Sequence, residues 1–244
     1  MENVISKKLK YPDDFINKII HGDCLEVIKD IPDKSVQLIF TSPPYNMANK
    51  NNMVLDIFYN QQFLVIMECT RILSNNGSIC WQLENYADKS VVTPLDIILY
   101  PIFIELGYKM RNRIVWSFDS GMNHKRRFNI RHETIIWFTK IDDYIFNGGR
   151  FEEKKLGDVW KFSNPKYDRL EKVEHACKFS IDIVEKFILN TTNENDLVFD
   201  PFVGSGTTAI ASLKNNRKYI GIDINEEYCN LARNKLKIGE CCNE

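Results

Sequence analysis

Ser42-Pro43-Pro44-Tyr45 closes the apolar run VQLIFT at 36–41 and brings hydrogen-bond acceptors and an aromatic face to one place. Proline fixes φ and carries no N–H, and Pro43 holds Ser42 extended. The turn is therefore stiff, and it offers the Ser42 hydroxyl and backbone carbonyls but no donor from either proline. An exocyclic amine on an aromatic base is a poor nucleophile because its lone pair is conjugated with the ring. Two acceptors gripping its hydrogens draw the nitrogen toward tetrahedral geometry and free the lone pair for attack. Tyr45 supplies a π-face for a base taken out of its stack. Alone, the tetrapeptide also fits a rigid turn at a strand end with a packed tyrosine.

A second constellation lies late in the chain, in DPFVGSGTTAIAS at 200–212. Gly204 and Gly206 allow a close backbone approach to a ligand. The helix that opens at Thr207 and Thr208 favours an anionic group at its amino end. Seventeen residues after Gly206 stands Asp223, closing YIGID, where a carboxylate can accept both hydroxyls of a ribose. Gly204-x-Gly206-x-x-Ala209 also fits a loose dinucleotide fingerprint, which is weak evidence when taken alone.

These motifs need a frame that points them the same way. The runs KIIHGD, VQLIFTSPPY, DLVFDPFVGSG and YIGID each read as a buried strand with polar residues at the carboxyl end. Helix-like segments separate or follow them: CLEVIKDI, DIFYNQQFLVIMECTRIL, TTAIASLKNN and EEYCNLARNKLKI. Such alternation predicts an α/β fold with a mostly parallel sheet and right-handed crossovers. Ligands then bind beyond the carboxyl ends of the strands. GSICWQL predicts a further strand, and RNRIVWSF with ETIIWFTK predicts an antiparallel pair at the sheet edge. A nucleotide-binding loop normally leads such a fold, yet only 38 residues follow Gly206. A circularly permuted order, with the Ser-Pro-Pro-Tyr strand first, accounts for this.

Composition narrows the classes. A chain of 244 residues, 44% hydrophobic, can bury one core, so 1–244 is expected to be a single domain with a small insertion near 119–175. The net charge of −1 means that nucleic-acid affinity must come from a local patch. The seven cysteines are scattered, without CxxC pairs or histidines at ligand spacing, which predicts reduced thiols in a cytoplasmic protein and no metal site. The start, MENVISKKLKYPDD, has no apolar leader core, and Asp96 and Glu105 interrupt the longest apolar stretch, so no membrane association is expected.

In this order, GDCLEVIKDIPDKSVQLIFTSPPYN, RILSNNGSICW and DPFVGSGTTAIAS…YIGIDINEEYCNLA make the chain resemble the β-class of DNA amino-methyltransferases over most of its length. The resemblance implies a Rossmann-like, circularly permuted methyltransferase fold and S-adenosylmethionine as cofactor. It implies that Ser42, Pro43, Pro44 and Tyr45 are catalytic. It also places Asp23 at the adenine amine, with Cys24 beside it, and Asp223 with Ile224 at the ribose. The methionine end would lie at Asp200, Pro201, Phe202, Gly204, Ser205, Gly206, Thr207 and Thr208, next to Thr41. A looser likeness at 175–188 adds His175, Lys178 and Phe179, although Ala176 and Ser180 replace the family's prolines there. Direct transfer is implied, with no covalent or metal-bound intermediate.

The implied substrate is double-stranded DNA. Residues 109–131 hold seven Lys/Arg against the single acid Asp119, and Lys125, Arg126, Arg127 and Arg131 are the candidate phosphate contacts. Phe128 and Trp116 read as core residues. Ser rather than Asp at position 42 leans toward N4 of cytosine, the product with which Ser-Pro-Pro-Tyr is more often associated in the family, and N6 of adenine is the alternative. A partner restriction endonuclease and a homodimer are further expectations of the resemblance. A nicotinamide-dependent oxidoreductase would explain Gly204, Gly206 and Asp223 but not Ser42-Pro43-Pro44-Tyr45 or the late loop. A non-catalytic DNA-binding relative would not need the motifs intact.

Overall fold

The four strands that end in polar motifs lie together in one sheet. The computed structural model describes residues 9–44, 53–88, 90–119, 123–148, 157–162 and 180–241. Tyr45, His175, Lys178 and Phe179 lie outside the described residues. In chain order the elements are β1 (Lys18–His21), α1 (Cys24–Val27) with a 3-10 turn at Ile28–Asp30, β2 (Val36–Thr41), α2 (Met53–Ile72) and β3 (Leu73–Leu83). Then come β4 (Asn85–Asp88), β5 (Val91–Pro94), α3 (Leu95–Glu105), β6 (Lys109–Ser117), β7 (His132–Thr139) and β8 (Val159–Lys161). The chain ends with α4 (Ile181–Thr191), β9 (Leu197–Asp200), α5 (Thr207–Lys214), β10 (Lys218–Asp223) and α6 (Glu226–Cys241).

The sheet order is β1-β10-β9-β2-β3-β7-β6-β8. The first five strands are mutually parallel, β7 runs antiparallel to both β3 and β6, and β8 is parallel to β6. One rim therefore gathers the carboxyl ends of β1, β10, β9, β2, β3 and β6, together with the start of β7. The strand that leads into the glycine loop, β9, follows the Ser-Pro-Pro strand β2 in sequence yet lies next to it in the sheet. That is the permuted order.

Strand alternation sends side chains to both faces. Ile39, Phe199, Ile220 and Phe138 pack with Phe58, Ile66, Leu99 and Phe103 of α2 and α3. Leu38, Phe40, Val198 and Trp137 pack with Ile183, Phe187 and Ile188 of α4. Helices α5 and α6 cover Ile19 and Tyr219 through Ala209, Ala232 and Leu236. Burial on both faces is why these strands read as continuous apolar runs.

Three features differ from the sequence expectations. The stretch 95–105, an apolar run broken by Asp96 and Glu105 in sequence, is helix α3 and contains Pro101. Proline there leaves the carbonyl of Ile97 without its helical donor. Ile97 is 62% exposed, so water can serve that carbonyl, while Leu95, Leu99, Ile102 and Phe103 anchor the inner face. The β6–β7 pair is not the sheet edge, because β8 adds outside β6. Phe128 is 99% exposed and is not a core residue, whereas Trp116 is buried as expected. Phe128 sits in the β6–β7 connection, which leaves and re-enters the sheet at the rim and gives the ring no apolar surface to cover it.

Candidate active site

The rim begins at β1. Asp23 caps α1, its Oδ1 accepting the Leu25 N–H at 2.9 Å. Next to it, at the end of β10, the half-buried Asp223 accepts the Gly204 N–H on Oδ2 at 2.9 Å and the Asn225 N–H on Oδ1 at 2.8 Å. Each carboxylate oxygen keeps a further lone pair, so the amides orient Asp223 without exhausting it. Gly204 and Gly206 have φ of +50° and +89°, a region that costs an L side chain. A Cβ on Gly206 would stand 2.8 Å from the Cβ of Ala232. Backbone freedom and close packing against α6 therefore both demand glycine at 206. These groups suit a ribose and a polar, charged ligand laid across β1, β10 and β9.

Between this crevice and Ser42 stands Asp200, which is 1% exposed. Its Oδ1 accepts from Thr41 Oγ1 at 2.6 Å and from the Phe202 N–H at 3.0 Å, and its Oδ2 accepts from Thr208 Oγ1 at 2.7 Å. One carboxylate thus ties the last residue of β2 to the glycine loop and to the first turn of α5. Burial pushes its pKa up to about 6 against the pull of these three donors, and the Asp223 charge adds to the rise. Thr41, Asp200 and Thr208 face one another, so their side chains brace the site. Ser42 follows the brace directly and is half-buried, Pro43 is buried and Pro44 is exposed. Ser205 is buried, and Phe202 and Thr207 are half-buried along the same loop. Ile224 is 73% exposed beside Asp223. Burial raises the Cys24 thiol to about 12, with the neighbouring Asp23 adding to the effect, so it is no thiolate nucleophile.

Beyond β2 the rim becomes polar in a way that the strand patterns did not reveal. Gln82 Nε2 donates to Glu133 Oε2 at 2.6 Å across β3 and β7. Glu133 also lines a cavity of about 290 Å³ with Glu84, Tyr86, Phe118, His124 and Arg127. Burial lifts the Glu133 carboxyl to about 7, the Gln82 bond opposes this and the Glu84 charge adds to it. The visible signal in the sequence is a polar residue near the rim end of each strand's apolar run, Gln82 after ICW and Glu133 before TIIWF.

The basic stripe divides in two. On β6, Lys109 and Arg111 pair with Asp142 at 2.5 and 2.8 Å, and Arg113 pairs with the buried Asp96 at 2.5 Å. Lys125, Arg126, Arg127 and Arg131 stand instead in the rim connection, with Lys125 and Arg126 exposed. That connection braces itself: Asn123 Oδ1 accepts from Asn129 and Arg131, and Arg127 Nη2 reaches His124 Nε2 at 2.8 Å.

Comparison with known proteins agrees with this geometry. The chain is 38% identical over 249 residues to the type II methyltransferase M.BglII of Bacillus subtilis, covering 91% of this chain and 69% of that protein. It is 31% identical over 251 residues to the DNA adenine methyltransferase YhdJ of Escherichia coli, covering 90% and 82%. The crystal structure of the M1.HpyAVI–SAM complex superposes with a TM-score of 0.69 at 27% identity, covering 90% of this chain and 98% of that one. The profile of the DNA methylase family, for N6 and N4 amines, matches residues 36–234. With the Ser-Pro-Pro turn and the glycine loop held side by side by Asp200, the chain belongs to this family of S-adenosylmethionine-dependent DNA amino-methyltransferases.

Proposed function

We propose that this chain methylates the N4 amine of cytosine in double-stranded DNA, on a base rotated out of the helix. The observation that carries the reading is the Thr41–Asp200–Thr208 brace, which sets Ser42-Pro43-Pro44 beside the glycine loop. S-adenosylmethionine, when bound, supplies a methyl carbon on a positively charged sulfur. In this reading Asp23 holds the adenine amine, Asp223 the ribose hydroxyls and the 200–208 loop the methionine end. The Ser42 hydroxyl and the Pro43 carbonyl accept the two N–H bonds of the target amine. They stabilise the positive charge that grows on nitrogen as it attacks, and the stiff turn keeps the amine in line. Lys125, Arg126, Arg127 and Arg131 hold phosphates of the duplex. A restriction endonuclease reading the same site is the partner implied by the type II name of M.BglII.

Cytosine is favoured by serine, in place of aspartate, at position 42. The second reading, N6 of adenine, is favoured by the likeness to the adenine methyltransferase YhdJ. Single-molecule sequencing of DNA from a methylation-free host expressing the chain tests both. N4-methylcytosine in one sequence context is the expected result. N6-methyladenine alone would overturn the cytosine assignment and leave the clamp standing. Ser42→Ala should lower transfer steeply while cofactor affinity, measured by calorimetry, changes little. Full activity of that variant would remove the clamp.

A further inference from the structure

The cavity beyond β3, β7 and β6 lies where the ring of a base must go once its amine is held at Ser42. Across the sheet, Asp23 and Asp223 mark β1 and β10, the glycine loop marks β9 and Ser42 marks β2. A cofactor laid over β1 to β9 leaves the target base only the side toward β3 and β7. Ser42 extends β2 one residue past the Thr41–Trp81 pair, which puts it level with Gln82. On the next strand Ile135 pairs with Gln82, and Glu133, two residues nearer the rim, accepts a diagonal hydrogen bond from that glutamine. Neighbouring strands lie about 4.8 Å apart and each residue rises about 3.3 Å, so two strands across and two residues along put about 12 Å between the backbones of Ser42 and Glu133. Two hydrogen bonds of about 3 Å each, the edge of one base ring between them and the reach of the two side chains bridge that gap.

We propose that this cavity seats the target base and that Glu133, oriented by Gln82, is the positioning residue that donates a hydrogen bond to the ring nitrogen adjoining the amine-bearing carbon. That atom is N3 of cytosine, and N1 holds the equivalent place in adenine. Both are acceptors, whereas N3 of thymine carries a hydrogen, so the contact also rejects thymine. Oε2 of Glu133 is occupied as an acceptor for Gln82, which leaves Oε1 to carry the proton. The rings of Tyr86 and Phe118 line the same space and suit the faces of a base. Arg127 lines it too, and its Nε is buried with no acceptor among the described residues. A phosphate or carbonyl oxygen of the extruded nucleotide would supply one. Glu133 faces Glu84 between β3 and β4, Tyr86 of β4, its neighbour His132 on β7, and His124 and Arg127 from the β6–β7 connection. Burial, with the Glu84 charge, keeps its proton on to about pH 7.

This inference rests on the amine site at Ser42, and the test separates the two. The probe is a duplex carrying the methylated site found by sequencing, with the target cytosine replaced by 3-deazacytosine, or a target adenine by 1-deazaadenine. Each analogue exchanges the ring nitrogen for C–H. Its altered amine reactivity affects every enzyme form alike, so the measured quantity is the change in preference between forms. The wild type should favour the natural base over the analogue about tenfold more than Glu133→Ala does, the worth of one hydrogen bond. Glu133→Gln, whose amide also donates, should keep the preference. Wild-type transfer should fall as pH rises through about 7, and the glutamine variant should lack that limb. Cofactor binding by calorimetry reports whether each variant is folded. An unchanged preference in Glu133→Ala overturns the assignment, and so does a Glu133→Gln profile that keeps the wild-type limb, even if the alanine variant fails to fold. A dead Ser42→Ala with either of those outcomes sinks the base seat alone, whereas a fully active Ser42→Ala sinks the amine site beneath it.

Discussion

Asp200 and Asp223 are both rim carboxylates, and their surroundings give them opposite tasks. Asp200 spends its oxygens on Thr41, Thr208 and the Phe202 amide and is closed to solvent. Asp223 is oriented by two backbone amides and remains half-buried, with lone pairs to offer. Asp223→Ala should therefore weaken S-adenosylmethionine binding by ~1–3 kcal/mol, the range for losing hydrogen bonds to a charged group. Titration calorimetry checks this, and an unaltered affinity would take Asp223 out of the cofactor site.

The two loops at the rim should tolerate change very differently. The turn between β9 and α5 is locked by Gly206, whose left-handed backbone packs on α6. Gly206→Ala would press a Cβ against Ala232, 2.8 Å from its Cβ and 3.2 Å from its Cα. Helix backbone cannot move aside as a flexible side chain can. The variant should lose about 1–3 kcal/mol of stability from overpacking, read as a lower urea midpoint, and should bind cofactor more weakly. The β6–β7 connection is solvated and braces itself, so Lys125→Ala with Arg126→Ala should leave the urea midpoint near that of the parent. If both side chains hold phosphates, the slope of log affinity against log salt should become shallower by about 0.9 per lost contact. A slope equal to the wild type's would mark them as an ordinary solvated surface.

Across the whole molecule, carboxyls drawn out of water couple stability to pH. Burial raises Glu133 from 4.5 to about 7 and Asp200 from 3.8 to about 6, so the folded chain holds these protons more tightly than the unfolded chain does. Their contribution is fully present below the unfolded values and is lost as pH rises through about 6 and about 7. The thermal midpoint should accordingly decline over that window at constant ionic strength. Glu133→Gln should flatten the upper part of the decline, and a variant with the full wild-type slope would show that Glu133 does not titrate there.

The strand order along the chain, the polar ends of the strands and the stiffness of Ser42-Pro43-Pro44 were legible in the residues, because apolar runs, glycines and prolines act over a few neighbours. The same local physics predicted the antiparallel β6–β7 pair. Which side chains meet across the sheet was not legible. Thr41 and Asp200 are 159 residues apart, and Gln82 and Glu133 are 51 apart. Strand register, not local pattern, brings each pair within hydrogen-bond reach. Charge behaved in the same way. Seven basic residues between 109 and 131 look alike in sequence, yet Asp142 and Asp96 neutralise those on β6, while Lys125 and Arg126 stand exposed in the rim connection. Phe128 looked like core because hydrophobicity says only that a residue favours burial, and tertiary structure decides whether any surface is there to bury it.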